Sequence, residues 1–474
     1  MALSEIETTR ITPEGNPGRG MRRIVVALLS LAAPMLLGQA GQVMLQLTDT
    51  LLIGHVGAVE LAAASLAGNF VMFALYFAFG AVGAVSPTVA QRHGAGDREG
   101  VARAAQGGAV LALLVGGLIA VGLTAIVPLL EHLGQPREVA QTARIYLLLI
   151  AWSMPGAILA VVLGQVAEAV DRPWPVFGFM ALAVGLNALL AWCLVFGRAG
   201  FPPLGLAGAG WATLVARWVH ASALSVWLCC DPRVAVTRPR DGATSPRGGR
   251  GWTDVGRLFR QGLPLAGQDV LEGGAFAVGS LMLGWVGTTA LAANQVTVGI
   301  ASLAWMVPVS LSMATGVRVA QAAGAGDRET ARRTGIAAMI MGTGLMMGCA
   351  AFYVAGGGAL ARLFTDDPEV AALAGTLVSI AGIYQVSDVI QSVSLGALRG
   401  LLDNRVPMLA NAVCYWGLSL PTVWFLTFYC GWGAAGVWAG YLPWMVGTGL
   451  FFLLRFLRLT ARPSSADGAA TRWP

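Results

Sequence analysis

Long apolar stretches recur along the whole chain and are separated by short polar segments. Each stretch holds about 20 or more residues with few charges, the length that an α-helix needs to cross a bilayer. Membrane β-strands would instead be short segments of alternating polarity, so the pattern favours helices. It predicts an all-α polytopic membrane protein with twelve transmembrane helices, over residues 24–52, 60–86, 101–130, 140–166, 174–197, 205–230, 255–285, 290–315, 333–363, 370–398, 406–430 and 434–457.

The composition agrees with this prediction. Hydrophobic residues make up 56% of the chain, charged residues only 11%, and the mean hydropathy is +0.69. These values are not those of a soluble globular protein. The polar N-terminus, residues 1–23, contains no cleavable signal with a small-residue exit. We therefore expect the first span to be retained.

Arginine predicts the orientation, because the 30 basic residues include no lysine. The N-terminus, the even-numbered loops and the C-terminal tail together hold about 25 of these 30 arginines. This bias predicts that both termini are cytoplasmic. The net charge of +6 is therefore explained by membrane topology, and we expect no nucleic-acid partner.

The chain contains an internal repeat. The segment "VAQRHGAGDRE" from Val89 recurs as "VAQAAGAGDRE" from Val319, with nine of eleven positions identical at an offset of 230. The same offset pairs Pro34 with Pro264. We therefore predict an N-terminal tail (1–23), a six-helix lobe (24–230), a cytoplasmic inter-lobe loop (231–254), a second six-helix lobe (255–457) and a C-terminal tail (458–474).

An even number of spans in each copy gives both copies the same orientation in the membrane. Two such copies are related by an axis along the membrane normal and would enclose a central cleft. That arrangement is typical of transporters.

Acidic residues inside membrane spans are costly and by default mark ion or substrate pathways. Only four lie well inside the predicted spans: Asp49, Asp269, Glu272 and Asp388. The repeat does not explain them, because the second copy has Gly279 where the first has Asp49, and the first has Gln42 where the second has Glu272.

These carboxylates are candidates for a cation-coupling site. A carboxylate in a low-dielectric cavity favours its neutral form and can load and release a proton. Several oxygens together can instead hold Na⁺, for which Glu272 and Asp388 are the candidate ligands. Asp269 lies three residues before Glu272 on one helical face. Tyr384 lies one turn before Asp388, where its ring either covers a bound cation or packs against neighbouring side chains.

The chain resembles the multidrug and toxic compound extrusion (MATE) family, specifically its NorM-type branch. The resemblance extends from about Pro34 to Leu457. The segments that carry it are "TDTLLIGHVG", "PTVAQRHGAGD", "AANQVTVGIASLAWMVPVSLSMATGVRVAQAAGAGD", "FTDDPEV" and "SLGALRGLLDNRVPM".

The resemblance implies a two-lobed antiporter of the inner membrane that expels cationic drugs or dyes in exchange for inward Na⁺ or H⁺, without a cofactor. Asp49, Glu272 and Asp388 match acids at which the family binds the coupling cation. The residues that match its substrate or first-lobe sites are Tyr384, Asp366, Asp367 and Asn187. We expect a monomer in the bilayer.

The sequence departs from the family at two positions. Ala191 stands where members often have a second asparagine, which weakens the case for a sodium site in the first lobe. Asp269 stands where an apolar residue is expected, which raises the hypothesis of a proton-tuned pair with Glu272.

Three other classes of protein fit the sequence less well. A lipid-linked oligosaccharide flippase of the same superfamily would share the duplicated bundle, but several basic residues would line its cavity, and only Arg217 lies inside a span. A passive channel fits the asymmetric acids less well than coupled exchange does. An enzyme is not expected, because no metal-ligand spacing or nucleophile and base pair supports one.

Overall fold

A computed structural model describes residues 17–132, 136–198, 200–231 and 250–461. For Asp49 and a few of its neighbours in the same helix, only the backbone is described. Within these residues the chain is helical and contains no β-strand. The helices are α1 (Pro17–Gly54), α2 (Ala58–Val82), α3 (Val85–Gly94), α4 (Arg98–Ile126), α5 (Arg137–Ala169), α6 (Pro173–Phe196), α7 (Leu206–Cys230), α8 (Arg250–Val286), α9 (Thr288–Gly324), α10 (Arg328–Arg362), α11 (Pro368–Gly400), α12 (Arg405–Ala412), α13 (Leu420–Trp424) and α14 (Gly433–Ala461).

Twelve spans of the described chain are long and apolar enough to cross a membrane, which confirms the predicted number. Three of them are not single α-helices. The third span, Arg98–His132, continues α4 with a 3₁₀-helix, Val127–His132. The second span is divided between α2 and α3. The eleventh span contains two π-helical segments, Val413–Ser419 and Phe425–Tyr429, on either side of α13. Pro421 lies in the first turn of α13, where it has no N–H to donate to the preceding turn.

The internal repeat is visible in the backbone. Gly96 (φ 73°) and Gly326 (φ 77°) both adopt the left-handed conformation, and an aspartate follows each of them. Asp97 caps α4 by accepting from Gly100 N at 2.8 Å, and Asp327 caps α10 by accepting from Thr330 N at 2.9 Å. The repeated "GAGD" sequence is therefore a repeated turn and helix cap.

The described chain forms two compact units. One comprises Leu37–Val270, and the other comprises Met1–Leu36 together with Leu271–Pro474. Both boundaries fall inside helices, α1 and α8, a few residues after Pro34 and Pro264 respectively. The lobe boundaries predicted from the repeat are a different division and stay a prediction, and residues 232–249 of the predicted inter-lobe loop lie outside the described residues.

Within the unit Leu37–Val270, the first half of α8 packs closely on α2. A Cβ at Gly80 would overlap the backbone of Ala266, and a Cβ at Gly262 would overlap the backbone of Ala81. Glycine is therefore required on both helices for this contact, since only the missing side chains allow the backbones to approach so closely.

Within the second unit, the first half of α1 packs on the helices of the C-terminal repeat. Leu28 is fully buried in an apolar cluster with Leu311, Phe452 and Phe456. On the same side of α1, the Nη2 of Arg318 donates to the carbonyl oxygen of Ala27 at 3.2 Å. The close fit of α1 therefore combines apolar burial with a charge-assisted hydrogen bond.

Replacing Gly80 by Ala should destabilise the protein, because the new methyl group overlaps the backbone of Ala266. We expect a loss of about 1–3 kcal/mol, as for other overpacked cores. Gly68 on the same helix has open space around it, so Gly68→Ala should be neutral or raise the stability by about 0.5–1 kcal/mol. Thermal unfolding of both variants in one detergent makes the comparison, and equal stability would contradict the packing described here.

Candidate functional site

The C-terminal repeat holds a carboxylate deep inside the protein. Asp388 on α11 is only 4% exposed. Its Oδ1 accepts a hydrogen bond from Ser392 Oγ at 3.2 Å, whereas its Oδ2 has no hydrogen-bond donor among the described protein atoms. Because buried polar atoms are usually paired, an orphaned carboxylate oxygen marks a place where a proton or cation would be stabilised.

A second carboxylate belongs to the same cluster. Glu272 on α8 is half-buried and hydrogen-bonds with Tyr415. Both Glu272 and Asp388 act electrostatically on Tyr384 and on Tyr415, so the two carboxylates share the same tyrosine neighbours. The structure therefore brings together three of the residues predicted from the sequence: Glu272, Asp388 and Tyr384.

Amides extend this cluster. The Nε2 of Gln391 donates to the hydroxyl oxygen of Tyr415 at 3.4 Å and, more weakly, to Asn411 Oδ1 at 3.5 Å. Gln391 is 3% exposed and Asn411 is fully buried. The Oε1 of Gln391 and the Nδ2 of Asn411 have no hydrogen-bond partner among the described protein atoms. One further oxygen ligand, Gln391 Oε1, is thus available near the carboxylates, whereas the Asn411 Nδ2 can only donate a hydrogen bond.

Aromatic rings surround the two carboxylates. The ring of Phe276 lies 5.2 Å from that of Tyr441, 5.9 Å from Tyr415 and 6.5 Å from Tyr384, measured between centroids. Tyr384 in turn meets Trp438 edge to face at 5.7 Å. Aromatic faces attract cations, and carboxylates close to them strengthen that attraction. We call these five aromatic residues together with Glu272 and Asp388 the acidic aromatic cluster.

Glycines on α8 make room for the cluster. Gly274 faces the ring of Trp416, whose Nε1 donates to the carbonyl oxygen of Leu271 at 2.9 Å. Gly279 faces the hydroxyl of Tyr441, which donates to the carbonyl oxygen of Ala275 at 2.9 Å. A side chain at Gly279 would displace Tyr441, so an acid like Asp49, which occupies the equivalent position of the first repeat, would fit here only if that ring moved.

The π-helical segment Val413–Ser419 supplies two residues of this region, Tyr415 and Trp416. A π-helical turn is wider than an α-helical turn and changes the direction in which successive side chains point. Such turns are often found at functional sites. Here the π-helical turn lies in the eleventh span and contains Tyr415, the hydrogen-bond partner of Glu272.

The N-terminal repeat has a polar cluster of a different kind. Asn187 on α6 is fully buried, and its Nδ2 donates to Thr213 Oγ1 on α7 at 3.3 Å. Its Oδ1 has no hydrogen-bond partner among the described protein atoms. Ala191, one turn further along α6, is fully buried and supplies no polar atom.

Four predicted acids are not described as part of the acidic aromatic cluster. Asp366 and Asp367 are exposed, and Asp367 caps α11 by accepting from Glu369 N at 2.9 Å. Asp269 is half-buried on α8. The side chain of Asp49 lies outside the described residues, although its backbone belongs to α1. The functional roles of these four acids stay predictions.

Six residues of this region were not predicted from the sequence: Phe276, Gln391, Asn411, Tyr415, Trp438 and Tyr441. Helical spacing could have found two of them. Gln391 follows Asp388 by three residues, and Phe276 follows Glu272 by four, so each shares a helical face with a carboxylate. The other four lie on the eleventh span and on α14, and their proximity to the carboxylates depends on the tertiary fold.

Duplicated membrane helices with carboxylates held inside the protein define a transporter. The MatE family model matches residues 34–193 and 264–425, one segment in each repeat. The chain therefore belongs to the MATE family, in its NorM-type branch, and is a multidrug efflux transporter rather than an enzyme.

Curated relatives are similar over nearly their whole length. A probable multidrug resistance protein NorM from Bradyrhizobium diazoefficiens is 34% identical over 458 residues, which cover 94% of this chain and 96% of that protein. The multidrug resistance protein NorM of Burkholderia vietnamiensis is 33% identical over 451 residues, covering 92% and 94% respectively.

Solved structures show the same fold. The eukaryotic MATE transporter AtDTX14 is 22% identical and has a TM-score of 0.81, covering 92% of this chain and 96% of its own. An outward-facing multidrug resistance MATE transporter is 21% identical and has a TM-score of 0.82, covering 95% and 100% respectively.

Copying Asp49 into the second repeat as Gly279→Asp should destabilise the protein, because the new side chain overlaps the Tyr441 hydroxyl and removes its bond to Ala275. The loss should be about 1–3 kcal/mol, since both overpacking and an unpaired group contribute. Tyr441→Thr removes the ring and hydroxyl that the new side chain overlaps, and should restore most of the loss in the double variant.

Thermal unfolding of the two single variants and the double variant measures this coupling. Gly284→Asp is the control, because Gly284 lies on the same helix with open space around it. If the two substitutions were additive, the contact between Gly279 and Tyr441 would not be the reason for the missing acid.

Proposed function

We propose that this chain exports organic cations in exchange for inward H⁺ or Na⁺ by alternating access, and that Glu272 and Asp388 form the coupling site. The observation that carries the proposal is the acidic aromatic cluster, in which two carboxylates share tyrosine neighbours inside a membrane protein. A buried acid without a paired base needs a cation or a proton for stabilisation.

The chemistry of the cluster favours lipophilic cations as substrates. A flat or bulky organic cation offers apolar surface and a positive charge, which suit aromatic faces and carboxylates respectively. Phe276 is 37% exposed, so its ring is available for contact with a substrate. Aromatic contacts tolerate different shapes, which is consistent with drugs or dyes of varied structure.

The same carboxylates would bind the coupling ion. Protonation neutralises either acid, and Na⁺ prefers oxygen ligands such as Asp388 Oδ2 and Gln391 Oε1, both without partners among the described protein atoms. Drug and ion compete for one negative site, so the binding of one weakens the binding of the other. The amount by which one ligand weakens the binding free energy of the other is the coupling free energy of an exchanger.

The arginine distribution supports an orientation with both termini in the cytoplasm, because about 25 of the 30 basic residues belong to the segments on that side. The family resemblance implies the inner membrane, where we expect the chain to be a monomer. No cofactor is required, since ion gradients supply the driving force.

Export of ethidium from everted or intact vesicles that contain the purified protein tests the proposal. An imposed proton or sodium gradient should drive export, and Glu272→Gln or Asp388→Asn should lower the rate by about tenfold or more, within the range of coupling between two ligands. The gradient that drives export identifies the coupling ion.

Glu99→Gln is a matched control, because Glu99 is exposed and pairs with Arg103 on the surface of α4. It should export at the native rate. Folded protein that exports no ethidium under either gradient would contradict the proposal and favour the flippase. If both acid variants still export ethidium, the chain is a transporter but the cluster is not its coupling site.

A further inference from the structure

A groove of about 400 Å³ runs along one face of α14 near its C-terminal end. It lies beyond the residues of α14 that belong to the acidic aromatic cluster, and the proposed exchange does not use it. The side chains that line it recur at helical spacing, with an apolar part first and two arginines towards the helix end. They are Phe451, Leu454, Arg455, Arg458 and Leu459, and we call this surface the α14 groove.

The α14 groove opens away from the protein core. Phe452 and Phe456, on the opposite face of the helix, are fully buried in an apolar cluster of the C-terminal repeat. In the groove, Phe451 is 44% exposed and Leu454 is 53% exposed. On a membrane-spanning helix, acyl chains cover large apolar side chains that the protein leaves uncovered. The apolar part of the groove therefore suits a lipid chain.

The length of α14 places the two arginines at the edge of the hydrocarbon core. The span Gly433–Ala461 contains 29 residues. At a rise of about 1.5 Å per residue, Arg455 lies about 33 Å along the helix from Gly433, and Arg458 lies about 38 Å along it. Because the hydrocarbon core is about 30 Å thick, both guanidinium groups reach the level of the lipid headgroups.

An ion pair holds the first of these arginines in place. The Nε of Arg455 donates to Oδ2 of Asp403, in the turn between α11 and α12. The two side chains are only 30% and 12% exposed, so the pair is largely shielded from solvent. This contact uses Nε alone, which leaves the terminal nitrogens Nη1 and Nη2 of a fixed guanidinium to bind another oxygen ligand.

The second arginine supplies an unneutralised charge. Arg458 is exposed and forms no ion pair with a described residue. It follows Arg455 by three residues, so both side chains belong to one face of the helix. Planar guanidinium groups match the oxygens of a phosphate group and bind it through paired hydrogen bonds. The groove thus combines phosphate donors with an apolar surface.

The N-terminal repeat has a groove on the equivalent helix, but that groove is uncharged. Gly205 begins α7 and Gly433 begins α14 with similar positive φ angles, 54° and 56°, which gives an offset of 228. This offset pairs Arg455 with Trp227. Trp227 and Trp218 line a groove of about 890 Å³ beside α7, and none of the residues lining it is charged. The basic end is therefore specific to the α14 groove and is not a general property of the repeated helix.

We propose that the α14 groove binds one anionic phospholipid, with the phosphate between Arg455 and Arg458 and an acyl chain along Phe451 and Leu454. Charge complementarity argues for this occupant. A free phosphate would leave the apolar part uncovered, and a zwitterionic lipid would bring its own cation close to the arginines. The inference goes beyond the proposed exchange and does not depend on it.

Native mass spectrometry of the purified full-length protein tests the inference with phosphatidylglycerol and phosphatidylcholine that carry the same acyl chains. Phosphatidylglycerol should bind about fivefold more tightly or better, because one unneutralised basic residue near an anionic headgroup contributes about that factor. Glycerol 3-phosphate at the same concentration should not displace it. Equal affinities for the two lipids, or displacement by glycerol 3-phosphate, would overturn the inference.

Arg458→Gln should reduce the preference for phosphatidylglycerol about fivefold and leave phosphatidylcholine binding unchanged. Because Arg458 is exposed, this variant should unfold at the native temperature. Arg333→Gln is the matched control, since it removes the same charge from an exposed arginine on α10 that pairs with Glu329, outside the groove. The control should keep the native preference. An equal preference in the two variants would contradict the assignment of the groove.

A phosphatidylglycerol with a photoactivatable acyl chain locates the bound lipid directly. It should label the part of α14 that contains Phe451 and Leu454, and Arg458→Gln should reduce this labelling about fivefold. If the label is found only on other segments of the protein, the lipid does not bind in the α14 groove and the inference is wrong.

Discussion

A charge inside a bilayer must be surrounded by protein, and the structure of the C-terminal repeat depends on this constraint. Asp388 is nearly fully buried in α11, which also supplies Tyr384 and Gln391. The other aromatic and amide side chains of the site come from α8, α14 and the eleventh span. The glycines of α8, the π-helical turn that carries Tyr415 and the position of Tyr441 all serve the same arrangement. One oxygen of Asp388 nevertheless has no donor among the described protein atoms. A carboxylate whose hydrogen bonds are almost, but not fully, satisfied by the protein can bind a cation and release it again.

Duplication provided two copies of one backbone, and the side chains then diverged. The turn and cap at Asp97 are repeated at Asp327. Gly205 and Gly433, at the starts of α7 and α14, share a positive φ of 54° and 56°. The chemistry inside the two copies is different, because one has carboxylates and aromatic rings and the other has an arginine, a serine and a buried asparagine. Equivalent positions of the two repeats can therefore be compared within a single chain, which shows at which positions their side chains differ.

The architecture could be read from the sequence because the membrane imposes simple rules. Length and polarity alone predict the twelve spans, and a repeated "VAQ…GAGDRE" segment predicts the duplication. The cost of intramembrane acids singled out Glu272 and Asp388, which the structure brings into one cluster. Tyr415, Asn411 and Tyr441 could not be predicted, because they approach the acids from other helices and one of them lies on a π-helical turn. The close packing of α8 on α2 also depends on the tertiary fold, since no local pattern indicates which glycine meets another helix.

The central claim is that drug and ion compete for the carboxylates of the C-terminal repeat. Equilibrium binding of ethidium to the purified protein, measured across the neutral pH range and across sodium concentrations, tests that claim most directly. The account predicts that one of the two ions weakens ethidium binding competitively, and that Asp388→Asn abolishes this dependence. Ethidium affinity that is independent of both ions in the native protein would contradict the account.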